Sequence, residues 1–164
     1  LRGRPDLLPE EYMDVIKGKA AGAEVHMRVG AIVGGGTRKE IEALGEFGKI
    51  LGILATIRDE FVDLYEPGEL QNRMKKECLP LPVLYAFKNK QTKKKIVDIL
   101  EKKKMAQKDA YKILDIVSNS REVKELKKEM QLMMGGAFRS ITHIRRVETR
   151  NILCQILSLA MRDI

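Results

Sequence analysis

Residues 38–64 read RKEIEALGEFGKILGILATIRDEFVDL, and this stretch decides the fold. Its apolar residues Ile41, Leu44, Phe47, Leu51, Leu54, Ile57 and Phe61 recur every three or four positions, the spacing of an amphipathic helix. Thr37 and Glu40 form a capping-box pair at its start, and Pro67-Gly68 stop it near Tyr65. Toward its end, Thr56, Asp59 or Glu60, and Asp63 share a stripe beside the apolar one. Asp59 and Asp63 are one turn apart, about 6 Å along the axis, so both carboxylates can point at one cation. Hard oxygen donors with no His or Cys beside them suit Mg2+, which keeps several waters and shares the phosphates of a substrate. The plain alternative is a solvated helix end carrying an Arg58–Asp63 surface pair.

The remaining sequence reads as helix throughout. A first helix runs from Glu10 to about Val33, led by Pro9 and halted by Gly34-Gly35-Gly36. Further helices are expected over residues 69–76, from Pro80 and Pro82 to near Lys90, and over 92–104, 106–117 and 120–134. Gly135-Gly136 should break the pattern before a last helix to about Arg162. No alternating strand pattern, internal repeat or long linker is present, so the expectation is one all-α domain over residues 1–164.

Composition narrows the class. The chain has 164 residues, 44% of them apolar, enough for a sizeable helical core. No run approaches the ~18 apolar residues of a membrane span, and Leu1–Asp6 lacks the apolar core of a secretory signal. Two isolated thiols, Cys78 and Cys154, fit a reducing cytoplasm rather than a disulfide framework. The net charge of +8 is confined to one block: Lys88 to Lys128 holds 14 Lys or Arg against 6 Asp or Glu, and the rest is balanced. These lysines punctuate helices carrying Ile96, Ile99, Leu100, Ile113, Leu114 and Val117, with no aromatic residues alternating among them. They read as a solvated helix surface, not as a nucleic-acid arm.

Four segments then carry a resemblance. The runs Gly45–Gly52 and Ile57–Leu64 resemble the second aspartate-rich helix of the all-trans polyprenyl diphosphate synthases. Tyr12–Ala20 resembles their Lys-Thr helix, Arg28–Gly36 the helix end and turn, and Leu81–Phe87 the Leu-Pro helix start. The resemblance is strong over residues 10–87 and implies the C-terminal portion of an isoprenoid-synthase-type helical bundle. It also implies a prenyltransferase that condenses an allylic prenyl diphosphate with isopentenyl diphosphate. Dimers, with a second copy or a related subunit, are expected of such a protein.

By match to the second motif, Asp59 and Asp63 would hold Mg2+, with Glu60 as a longer, secondary ligand. Lys19 matches the lysine that contacts the departing diphosphate, and Val15, Ile16, Lys19 and Ala23 are expected to form one inward stripe. Thr56 stands where the family has Gln, and would contact substrate through its hydroxyl. Ala20 replaces the family Thr, and Cys78 falls where a lysine precedes the Leu-Pro segment, with Lys75 or Lys76 near it. The first aspartate motif and the Gly-Lys-x-x-Arg grip for isopentenyl diphosphate are not among these residues, so this chain by itself is expected to be inactive. Two other readings stand beside the enzyme: a weakly catalytic subunit of a heteromeric synthase, and a basic helical nucleic-acid-binding protein.

Overall fold

The computed structural model describes residues 7–162, apart from the side chains of Gln71, Met74 and Lys75. The readings made on Leu1–Asp6 and on Lys75 fall outside the described residues. Eight α-helices follow one another: α1 Pro9–Val33, α2 Arg38–Val62, α3 Pro67–Lys76, α4 Leu81–Ala86, α5 Lys90–Leu100, α6 Gln107–Asn119, α7 Arg121–Ser140 and α8 Val147–Ala160. Short 3-10 turns follow α2 at Asp63–Tyr65 and α7 at Ile141–His143. No strand occurs among the described residues, so the all-α expectation holds.

The chain divides into two compact units, Leu1–Met13 with Asp59–Lys128, and Asp14–Arg58 with Glu129–Ile164. The boundaries fall inside α1, α2 and α7.

In the second unit, α1 and α2 form an antiparallel pair with an unusually close approach. Gly35 turns the chain between them at a φ of +70°, which costs any other residue strain. A Cβ on Gly48 would lie 2.7 Å from the backbone oxygen of Ala23, and one on Gly52 would lie 3.0–3.1 Å from Ala20 and Ala23. The glycines therefore let the helix backbones meet where larger side chains would hold them apart. Phe47, Leu54 and Ile57 of α2 are fully buried, as is Ile16 of α1. The start of α2 carries the expected box: Thr37 N–H donates to Glu40 Oε2 at 2.9 Å, and Glu40 N–H to Thr37 Oγ1 at 3.4 Å. The Thr37 backbone bond foremost, then its hydroxyl and the N–H of Arg145, hold the Glu40 carboxyl below its ordinary pKa.

Gly135-Gly136 does not break the chain; α7 continues through both to Ser140. Packing outweighs the propensity cost, which is about 1 kcal/mol per glycine. Ala137 is buried, and a Cβ on Gly136 would meet Ile50 of α2 at 3.7 Å. The interruption comes later, at Ile141–Arg146, so the last helix is α8 and starts at Val147.

The first unit is built from the start of α1, the last turn of α2 with the 3-10 turn after it, α3 to α6, and the start of α7. Leu64, Leu70, Leu81, Val83, Ile96, Ile113 and Val117 are buried with no measurable exposure. Helix α4 ends at Ala86, short of the expected Lys90. Asn89 already caps the next helix, its Oδ1 accepting the N–H groups of Gln91 and Thr92 at 3.0 and 3.1 Å. Asp109 plays the corresponding part in α6. Its carboxylate, 3% exposed, accepts Lys102 Nζ at 2.6 Å and the Ala106 N–H at 3.0 Å.

Candidate functional site

The acidic triplet lies where α2 ends, and a helix C-terminus is the wrong end for negative charge because the macrodipole adds to it. Cations must offset it, and Arg73 of α3 does so. Its Nη2 donates to Glu60 Oε2 at 2.9 Å and to the Tyr12 hydroxyl at 3.0 Å. Its Nη1 pairs with Asp63 Oδ2, and its Nε donates to the Cys78 carbonyl at 3.0 Å. Glu60 is closed from its other side as well, accepting the Tyr12 hydroxyl at 2.8 Å and the Leu81 N–H at 3.0 Å. One guanidinium thus ties α1, α2, the 3-10 turn, α3, and the loop into α4.

Electrostatics follow from that burial. Withdrawal from water would depress the pKa of Arg73, but the Glu60 carboxylate, with Tyr12 and Asp63, holds it above its ordinary value. Burial first, and the charge of Glu60 second, raise Tyr12, so its phenol stays protonated as the donor the cluster needs.

The candidate residues therefore have different situations. Asp59 is exposed at the end of α2, and Asp63 is half-buried with one oxygen on Arg73. Glu60 is only 6% exposed, and both of its oxygens are occupied by protein donors. The secondary-ligand reading of Glu60 meets a carboxylate already committed to the scaffold. Asp63 finds its partner in Arg73, thirteen residues downstream of Glu60. That residue was missed in the sequence. The signal was the need for a cation near three acids on a helix end.

Lys19 and Thr56 belong to the second unit. The inward stripe expected through Lys19 is displaced by one position: Ile16 and Ala20 are buried, Val15 and Ala23 half-buried, and Lys19 exposed. Ile16 and Ala20 are four apart and stack on the face toward α2, while Lys19 is about 100° away around the helix from Ala20. Thr56 Oγ1 donates to the Gly52 carbonyl at 2.8 Å, the usual back-bond of a mid-helix threonine. Lys76 is exposed.

Among the described residues no three His, Cys, Asp or Glu side chains gather into a metal cage. Of the two aspartates, Asp59 is exposed, and Asp63 is half-buried with Oδ2 on Arg73.

Residues 2–117 match the polyprenyl synthetase family. The chain belongs to the polyprenyl synthetase family. It is 39% identical over 67 residues to a short chain isoprenyl diphosphate synthase of Methanothermobacter thermautotrophicus, covering 40% of this chain and 21% of that protein. The fold is similar to that of a geranylgeranyl pyrophosphate synthetase from Pyrococcus horikoshii, at a TM-score of 0.78 and 20% identity over 96% of this chain and 50% of that one. A geranylgeranyl pyrophosphate synthase from Corynebacterium glutamicum, complexed with calcium and isoprenyl diphosphate, superposes with a TM-score of 0.76 and 20% identity, over 94% of this chain and 50% of that one. The chain spans about half the length of these solved structures.

Among the described residues no helix is long and apolar enough to cross a membrane.

Proposed function

We propose that this chain supplies the second-aspartate-motif part of a trans-polyprenyl diphosphate synthase, which joins an allylic prenyl diphosphate to isopentenyl diphosphate. The single observation that carries the reading is the family match over a segment that includes Arg58-Asp59-Glu60-Phe61-Val62-Asp63, with Asp59 exposed at the end of α2. The first aspartate motif and the grip for isopentenyl diphosphate come from outside residues 1–164, in the same protein or in a related subunit of a dimer. Two unbridged thiols, Cys78 and Cys154, support a cytoplasmic setting.

In this reading Asp59 is the principal carboxylate for Mg2+, and Asp63 assists through the side not taken by Arg73. A Mg2+ held by Asp59 and Asp63 would supply neutralising charge to the departing diphosphate. Lys19 presents an exposed ammonium, a compact cation suited to a diphosphate oxygen. Tyr12 and Arg73 hold Glu60, and with it the last turn of α2 from which Asp59 projects.

The test is turnover in the full-length protein with labelled isopentenyl diphosphate and an allylic diphosphate. Asp59→Ala should lower kcat by about a hundredfold or more with an unchanged melting curve. Asp63→Ala should lower kcat more mildly, with some loss of melting midpoint because it removes a partner of the buried Arg73. Activity equal to the unmodified protein at saturating Mg2+ would show that this motif is not catalytic, and would favour a supporting subunit.

A further inference from the structure

We propose that the lysine surface of α5, α6 and the turn between them is a docking site for an anionic lipid surface. All of the chain's net charge of +8 lies between Lys88 and Lys128. The structure shows which of these cations reach solvent. Helices α5 and α6 pack through Ile96 and Leu100 on one and Ala110, Ile113 and Val117 on the other, all buried. Lys93, Lys94 and Lys95 of α5, Lys103 of the turn, and Lys108 and Lys112 of α6 are all exposed. On α6 the line Lys108, Tyr111, Lys112 follows helical spacing, so a 55% exposed tyrosine stands between two lysines on one face. Clusters of four to eight basic side chains on a helical surface are the usual footprint of recognition of acidic lipids.

Three features favour lipid over other polyanions. Of the 14 cations in the block 13 are Lys, and the exception, Arg121, is paired with Glu125 at 2.9 Å. Ammonium groups are point charges fit for a diffuse anionic surface, whereas base readout depends heavily on the arginine fork. Tyr111 is the one large exposed apolar side chain of the block among the described residues. A protein interface would bring an apolar centre, and single-stranded nucleic acid a row of stacking rings. One tyrosine between lysines instead suits the headgroup layer, where its ring and hydroxyl sit on either side of the boundary. If the proposed function holds, the product carries an isoprenoid tail and the surface brings its release beside a bilayer. That point rests on the proposed function; the charge and its exposure do not.

Binding should be reversible and salt-sensitive, because charge carries most of it. In vesicle sedimentation of the full-length protein without substrate, membranes of about half phosphatidylglycerol should bind at least about tenfold tighter than pure phosphatidylcholine at low salt. That preference should collapse by about 0.3 M salt. Lys93, Lys94 and Lys95→Gln together, and separately Lys108 and Lys112→Gln, should each weaken the anionic binding by about tenfold or more at an unchanged melting midpoint. Tyr111→Ser should weaken it without altering its salt dependence. Equal binding to neutral and anionic vesicles, unaltered binding by both glutamine variants, or preference for a single-stranded RNA over the anionic vesicles would each overturn the proposal. Because no turnover is read, loss of the enzyme function elsewhere leaves this result unaffected.

Discussion

Arg73 Nη2 lies 2.9 Å from Glu60 Oε2, with both side chains less than a tenth exposed. Ion pairs so buried are poor stabilisers against an apolar replacement, but removing one partner strands the other. Arg73→Met should therefore cost about 3–5 kcal/mol of unfolding free energy, since it leaves the Glu60 carboxylate buried and Asp63 without its cation. Adding Glu60→Gln to it should recover part of the loss. Urea titration of the three variants decides it: additive losses would mean that the two side chains do not act as a pair.

The glycines of α1 and α2 should respond in opposite ways. Gly48→Ala places a Cβ 2.7 Å from a backbone oxygen that cannot step aside, and should cost about 1–3 kcal/mol. Gly18→Ala, in open space within a helix, should be neutral or gain up to about 1 kcal/mol. Thermal melts that rank the two variants the other way would exclude the close helix approach.

Acid should loosen the first unit through Asp109. Its bond from Lys102, and next that from the Ala106 N–H, hold the carboxyl below its ordinary value of 3.8. A lowered folded pKa contributes stability above the unfolded value, and that contribution is lost as pH falls through the folded one. The melting midpoint should drop as pH passes below about 4, and Asp109→Asn should make that drop shallower while lowering the neutral midpoint. An identical acid profile in the variant would remove Asp109 from the account.

Apolar faces remain open in the second unit. Val25, Val29, Ile32 and Val33 of α1 recur at helical spacing and are each more than half exposed, and Ile152, Ile156 and Leu159 do the same on α8 at 41% or more. Contiguous apolar surface of this kind is normally covered by another protein surface. The isolated 164-residue chain should bind a hydrophobic dye and self-associate, and Val29→Asp with Ile32→Asp should reduce both. A monodisperse monomer that takes up no dye would show the faces to be tolerated in water.

Much of this was legible in the sequence, for reasons that can be assigned. Thr37 with Glu40, the Gly34-Gly35-Gly36 run, and Pro67 after the aspartates are local signals, and each structure they specify is made by neighbours in the chain. The family likewise was carried by contiguous motifs. What escaped was decided by contacts distant in sequence. Gly135 and Gly136 stay helical because of their surroundings, and Glu60 is buried because Tyr12, Arg73 and the Leu81 N–H converge on it from three other elements. The exposed position of Lys19 turned on one step of helix rotation, finer than apolar periodicity resolves when Ala20 is itself apolar.

The close pairing of α1 and α2 also bears on how the chain acquires its structure. Only residues 34–37 separate the two helices, so once both are helical, bringing Gly48 against Ala23 and Gly52 against Ala20 closes only the short turn between them. Contacts across such a helical hairpin are expected to form ahead of pairings between more distant segments. This hairpin is the natural nucleus of its unit. On the ribosome the α1–α2 pair can be set once Val62 is free, before the α7 and α8 residues of the same unit exist.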